Sequence, residues 1–491
     1  MAFLSYVFPP NGILISQNFT FKYPTFHSLF FSEKPLKTDI SKIIALADKE
    51  EKMYAVFKTD SISNNLDTLP TKKTDSISTM IENTKAENFE NLKDAEDSVK
   101  TNIQYKNNFK NSLDNFFNSL WNLSNEPKSV RILHYGDSQI EGDRISDYLR
   151  LKLQNQFGGE GPGLISFMPV TPSVINKLSW SKNWDKYTVF TGKDKRVKHN
   201  HFGALALLTR FTDYKALSDT TDYKTAWVKV VTTKNGGPKA SAFSNCKLYY
   251  GGAQTKTHIE LFENGSLNNS DSLLANGNFN IKEFNLNQKP LLLEFKFKGK
   301  DSPDFYGLSL EGSKGVMVDN IGLRGSSGTF FNQINFEQLK QFYNTLNVKL
   351  IILQFGGNVL PYIKTKEETV SFGNYLKFQI QIIKKIAPQT SILVVGPADM
   401  SVKIGEAYET HPQVENLRDA LRKTAFETNC AFFDMYACMG GKNSMVSWVD
   451  LGIAAKDYVH FSPVGARKIA VLLHASLMND YNNYILKHKR N

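Results

Sequence analysis

The sequence predicts an α/β protein whose doubly wound parallel sheet is interrupted by an inserted β-sandwich. Strand-like and helix-like segments alternate over 129–157 and again from 315 to the end. Repeated strand–helix order implies a parallel sheet, because each right-handed crossover returns the chain to the same side. Over 170–312 the alternation gives way to short β-type runs separated by Asn, Gly, Ser and Asp clusters, as expected of a sandwich.

Along the chain, 1–57 reads as an N-terminal extended segment, with an alternating aromatic stretch at 18–26 that suggests a strand or a docked arm. Residues 58–103 are polar and too poor in hydrophobic residues to build a core, so they read as a flexible linker, with a polar helix open at 80–100. The first part of the α/β domain spans 104–169. It carries a helix at 109–123, a buried-type strand at 129–135 and an amphipathic helix at 143–157, with Ile145, Leu149 and Leu153 at four-residue spacing. A glycine-rich loop follows at 158–163. It lacks the Lys-Ser/Thr of a phosphate loop and does not open a helix after a strand, which excludes that reading.

In the insert, 170–312, strands are expected at 226–232, 246–250, 258–262, 291–297 and 307–310. The second part of the α/β domain, 313–491, alternates strands at 315–321, 348–355, 391–396 and 431–434 with helices at 336–346, 367–386, 412–428 and 463–486.

Composition narrows the function classes. Hydrophobic residues make up 41%, which fits a globular chain with a real core. The net charge of +11 is spread along the chain, and its short basic runs at 193–198 and 487–490 come with no nucleic-acid motif, so no nucleic-acid partner is expected. Three cysteines, Cys246, Cys430 and Cys438, make neither a disulfide framework nor a zinc spacing; a single Cys430–Cys438 bridge stays open. No segment approaches the roughly 20 apolar residues of a membrane span. The apolar stretch at 1–8 is too short for a signal peptide and has no basic start. The chain is then either cytoplasmic or one whose export signal has been removed.

Three motifs fall where an open parallel sheet presents its ligand crevice, at or near the carboxyl ends of strands. Gly136-Asp137-Ser138 follows the first strand, Gly356-Gly357-Asn358 follows the strand at 348–355, and Asp457-Tyr458-Val459-His460 precedes the last helix. Each alone is weak, since turns favour Gly, Asp, Ser and Asn. Together they hold a hydroxyl, an imidazole to deprotonate it and a carboxylate to orient the imidazole, which is the chemistry of an activated nucleophile.

In these residues the chain resembles the SGNH/GDSL hydrolase superfamily. Gly136-Asp137-Ser138 matches the first block, with Gln139 in place of the usual Leu. Gly356-Gly357-Asn358 matches the third block, and Asp457 with His460 the fifth. The second block's glycine falls best on Gly325, with Gly322 as competitor.

The resemblance implies a flavodoxin-like hydrolase fold with Ser138 as nucleophile, His460 as general base and Asp457 as its orienting acid. It also implies an oxyanion hole made of the Ser138 and Gly325 N–H groups and the Asn358 amide. It calls for no metal and no organic cofactor. The runs 136–144, 157–163 and 318–325 look like bacterial SGNH proteins that act on O-acetylated peptidoglycan, some of which carry a carbohydrate-binding-module-like sandwich at this position.

The expectation is therefore a serine esterase of an acetylated envelope glycan, working in the periplasm or at the cell envelope. An O-acetyltransferase with the same triad and a non-catalytic glycan-binding protein are the alternatives. The oligomeric state stays open.

Other residues read as structural. Asp137 is expected to brace its turn, His134 to be a satisfied core residue, and Glu141 and Arg144 to be solvated charges at a helix start. His199 and His201 suggest surface or sugar contact. Asp434 is a rival acid, and Trp180, Trp184 and Tyr249 are divided between sugar contact and core.

Overall fold

The computed structural model describes residues 13–16, 19–21, 37–63, 102–106, 111–126, 129–214, 222–287 and 289–489. Five strands, β1 (Val130–Gly136), β2 (Val316–Gly322), β3 (Val348–Gln354), β4 (Ser391–Val395) and β5 (Ala431–Phe433), form a parallel sheet in the order β2-β1-β3-β4-β5. That is the doubly wound order in which the crevice lies between the strands where the winding reverses. A short strand, Ile103–Gln104, closes the β5 edge antiparallel.

Helices cover both faces, so the central strands are buried along their length. On one face lie α1 (Ser146–Phe157) and α5 (Pro463–Lys489), packed on Val130 and Ile132 of β1. On the other lie α2 (Phe336–Leu346), α3 (Lys366–Ile386) and α4 (Val414–Glu427), packed on Leu133 and Tyr135. The two-residue alternation along β1 thus feeds two separate cores. α2 is capped by Asn335, and α3 opens on a Thr365/Glu368 capping box.

The insert is a sandwich of two antiparallel sheets. One contains Gly163–Ile165, Asp185–Thr188, Leu207–Arg210, Asn245–Gly251, Asn280–Asn285 and Asp304–Glu311. The other contains Asn176–Trp180, Lys224–Thr232, Thr257–Glu263, Ser266–Leu273 and Leu292–Gly299. Inward residues alternate along Thr257–Glu263 and meet an aromatic core with Trp184, Phe295, Phe297 and Phe305.

The insert packs on the parallel sheet rather than hanging from it. Phe342 of α2 sits 4.6 Å from Phe279 and 5.1 Å from Tyr249, ring centre to ring centre. Arg131 of β1 reaches Asp319 of β2 at 3.0 Å, and it bonds Ser309 and Glu311 of the insert. The glycine-rich loop runs through this seam. Gly163, at φ +85°, pairs Gly163–Ile165 to the insert ahead of residue 170, and a Cβ there would lie 2.0 Å from an Asp319 oxygen.

Three readings need correction or restriction. Residues Ser41–Ser63 form a helix instead of continuing an extended segment, because Ile40, Ile43 and Ala47 at three- and four-residue spacing turn one face into the core. Of the stretch at 18–26, Phe19–Phe21 pairs with Ile13–Ser16, and the rest lies outside the described residues, as does 64–100 with its proposed helix. α1 begins at Ser146, since Gly142 and Asp143 both have left-handed backbones that break the helical run expected from 143.

Candidate active site

Three loops leave the sheet at one level because β1, β2 and β3 end in register. Gly136 lies opposite Gly322 of β2 on one side and Gln354 of β3 on the other. The residues just beyond, Ser138, Gly325 and Asn358, therefore emerge on one rim. The loop before α5 arrives from above, held by a bridge between Ala454 and Phe461.

Ser138 Oγ lies 2.8 Å from His460 Nε2, and His460 Nδ1 lies 2.8 Å from Asp457 Oδ2. With Nδ1–H donating to the carboxylate, Nε2 presents its lone pair to the serine O–H. The other Asp457 oxygen accepts the backbone N–H groups of Val459 and His460, each at 3.0 Å. Burial pushes the Asp457 carboxyl up. The His460 backbone N–H, the imidazole and the Val459 N–H outweigh it and hold the group below its ordinary value. The relay is open to water: 49% of the Asp457 side chain and 34% of the His460 side chain are exposed.

The rim also carries unused backbone donors. Among the described residues, the N–H groups of Ser138 and Gly325 donate to no protein acceptor. Gly325 sits at φ +81° with open space where a side chain would begin. Gly322, its competitor, is the last residue of β2, and a Cβ there would meet Glu141 Cα at 2.9 Å. Asn358 Nδ2 donates to the Ser326 carbonyl at 2.9 Å, which ties the loops after β2 and β3 together.

Two contacts were not legible beforehand. Gln139 Nε2 donates to the Val459 carbonyl at 2.7 Å, so the departure from Leu joins the serine turn to the histidine loop. Glu141 is not a solvated charge. Its side chain is buried, and Arg324 grips it with two nitrogens at 2.6 and 2.7 Å, while Arg144 adds a third bond at 3.0 Å. That clamp fastens the loop after Ser138 to the loop carrying Gly325. A sequence signal existed in the opposite charges of Glu141 and Arg324, but their separation by the whole insert hid the pairing.

Asp137 accepts the Gln139 N–H at 3.0 Å. Burial pushes its carboxyl up to about 6, against the pull of that bond and of His460. His134 is buried, with Nε2 at 3.1 Å from Gln354 Oε1 and Nδ1 at 3.0 Å from Ser146 Oγ. Asp434 caps the short helix Met435–Met439 through the Ala437 N–H and stands away from the relay. His199 is held by Tyr214 and Asp304, each at 3.0 Å, and its ring lies beside that of His201. Trp184 and Tyr249 are core residues, and Trp180 is partly buried at the sandwich edge. Cys246, Cys430 and Cys438 are buried free thiols, so the optional bridge is not formed.

A doubly wound parallel sheet with an inserted sandwich carries Ser138, His460 and Asp457 in hydrogen-bonded sequence on its rim. Solved structures with this likeness include a peptidoglycan O-acetylesterase, 19% identical, with a TM-score of 0.58 over 75% of this chain and 96% of that one. An acetyl xylan esterase, AlAXEase, is 17% identical over 33% of this chain and 81% of that one, with a TM-score of 0.26. A GDSL-like lipase from Parabacteroides merdae is 17% identical over 33% and 74%, with a TM-score of 0.25. The first shows a shared fold; the other two overlap too little to bear on the argument. No family model and no curated protein matches the chain.

Proposed function

We propose that the protein is a serine esterase that removes O-acetyl groups from peptidoglycan or another bacterial cell-envelope polysaccharide. The observation that carries the reading is the in-line contact of Ser138, His460 and Asp457 beside two unused backbone donors.

Ser138 Oγ attacks the acetyl carbonyl as His460 Nε2 takes its proton. The tetrahedral oxyanion forms against the Ser138 and Gly325 N–H groups, with the Asn358 amide at the same rim. His460 passes the proton to the departing sugar oxygen, leaving acetyl-Ser138. It then deprotonates a water that attacks the acetyl carbonyl, and returns that proton to Ser138 Oγ as acetate leaves. The Asp457 carboxylate stabilises the imidazolium in both halves. The exposure of the relay favours water over a sugar hydroxyl as acceptor, which supports hydrolysis over acetyl transfer. A periplasmic or cell-envelope location is part of the proposal and is tested by cell fractionation.

Acetate release from native O-acetylated cell-wall glycan tests the reading. Wild type releases acetate, and Ser138→Ala reduces the rate by at least ~1000-fold. Equal release by both proteins, or none by wild type, refutes it.

A further inference from the structure

Between β4 and α4 the chain makes an antiparallel hairpin, Ser401–Ile404 paired with Ala407–Thr410, closed by a two-residue turn in which Gly405 has φ +62°. The hairpin belongs neither to the parallel sheet nor to the sheets of the insert. Its base is anchored in buried polar groups. Asp399 accepts the Thr410 hydroxyl at 2.8 Å and the Met445 N–H at 2.7 Å, and the Asn443 side chain accepts the Thr410 N–H at 3.0 Å.

The hairpin meets the histidine loop twice, both times at Tyr458. The Ser401 N–H donates to the Tyr458 carbonyl at 3.0 Å. The ring of Tyr408 lies face to face with that of Tyr458, 3.7 Å between centres and 9° from parallel.

Tyr458 is where that loop needs support. It follows Asp457 directly, and its φ of +59° puts a bulky side chain on a left-handed backbone. The turn made there brings the Val459 and His460 N–H groups to one Asp457 oxygen, while the other oxygen meets the imidazole. Burial does not hold this arrangement, since 49% of the Asp457 side chain is exposed. A residue in a sparsely populated backbone region persists where its surroundings over-determine it. Here the hairpin supplies them, through one N–H group and one stacked ring.

We propose that Tyr408 is a positioning residue for the serine relay, its ring holding Tyr458 in the left-handed turn that sets Asp457 against His460. The inference rests on the esterase reading and adds a residue 52 positions away to its machinery. Tyr408 acts through the Tyr458 backbone and not on the substrate.

Steady-state kinetics of the full chain on p-nitrophenyl acetate tests it. Tyr408→Ala is expected to lower kcat about 5- to 10-fold with KM nearly unchanged, and Tyr408→Phe, which keeps the ring, to stay within about twofold of wild type. Asn tolerates the left-handed backbone better than other side chains. Tyr458→Asn is therefore expected to lose less than Tyr458→Ala, and Tyr408→Ala to lower kcat no further in the Tyr458→Asn background. Fluorophosphonate labelling of Ser138 is expected to slow in step with kcat.

Unchanged kcat in folded Tyr408→Ala, a loss carried by KM, or Tyr408→Phe as slow as Tyr408→Ala overturns the proposal. The full Tyr408→Ala loss recurring beside Tyr458→Asn does the same. The two Tyr458 variants test the backbone step with Tyr408 intact, so the proposal stays open to refutation if Tyr408→Ala fails to fold: equal losses in the two overturn it. Wild type that neither turns over nor labels refutes the esterase reading and this inference with it. Any of the other outcomes, with wild type active, removes this inference alone.

Discussion

Gln139 and Val459 are 320 residues apart and joined by a 2.7 Å hydrogen bond from a side-chain amide to a backbone carbonyl. The bond links the turn that presents Ser138 to the loop that presents His460. It therefore bears on the Oγ–Nε2 distance without touching a reacting atom, which makes Gln139 a positioning residue. Gln139→Leu should lower kcat on p-nitrophenyl acetate by about 3- to 10-fold, in line with ~1 kcal/mol for one such bond, and leave KM nearly unchanged. Steady-state kinetics checks the split. A change in KM alone would assign Gln139 to substrate contact.

The clamp between Glu141 and Arg324 makes a second prediction. Glu141 is buried while 63% of the Arg324 side chain is exposed, so the two ends should not be equivalent. Removing Arg324 leaves Glu141 with Arg144 as its remaining cation; removing Glu141 leaves two arginines facing each other across the loops. Glu141→Gln is expected to lower kcat by about 10-fold or more and Arg324→Ala by less, with the two effects non-additive in a double-mutant cycle. Additive effects would show that the clamp does not hold the loops.

Asp137 gives a pH signature. Its folded carboxyl titrates at about 6, above the ordinary value of 3.8, because burial disfavours the charge. Between those values the folded state binds more protons than the unfolded one, so this group's contribution is fully present below pH 4 and is lost as pH rises through 6. Asp137→Asn should then gain about 1–3 kcal/mol of stability over wild type at pH 8 and little at pH 4. Urea unfolding at the two pH values checks the difference. A pH-independent offset would count against it.

Asp457 stands in the opposite situation, half in water. Solvent screening limits what its charge adds to His460. Asp457→Ala should lower kcat by about 10- to 100-fold, with a greater loss for His460→Ala. Matched single-turnover rates with p-nitrophenyl acetate decide this.

The fold was legible where burial follows a period. The strands β1, β3 and β4 are apolar runs between helical stretches, and Thr257–Glu263 alternates cleanly. Polar edge elements gave no such signal: Ser266–Leu273 is an edge strand made mostly of Ser, Asn and Asp, paired on one side only. Glycine spacing at 158–163 marked a special loop, but its reason, close passage beneath Asp319, depends on a strand 150 residues on. At the site, short local motifs brought forward Ser138 and Asn358 just past strand ends and Asp457 and His460 in the loop before α5. The residues that brace them, Gln139, Glu141 and Arg324, were obscured because their partners come from distant loops, and no local pattern encodes a contact across the insert.

The central claim is that His460 activates Ser138, and covalent labelling reads it directly. A fluorophosphonate followed by peptide mass spectrometry should place a single adduct on Ser138 in wild type, with the labelling rate falling at least ~100-fold in His460→Ala. An unlabelled Ser138 in folded wild type, or equal labelling in both proteins, would contradict the account.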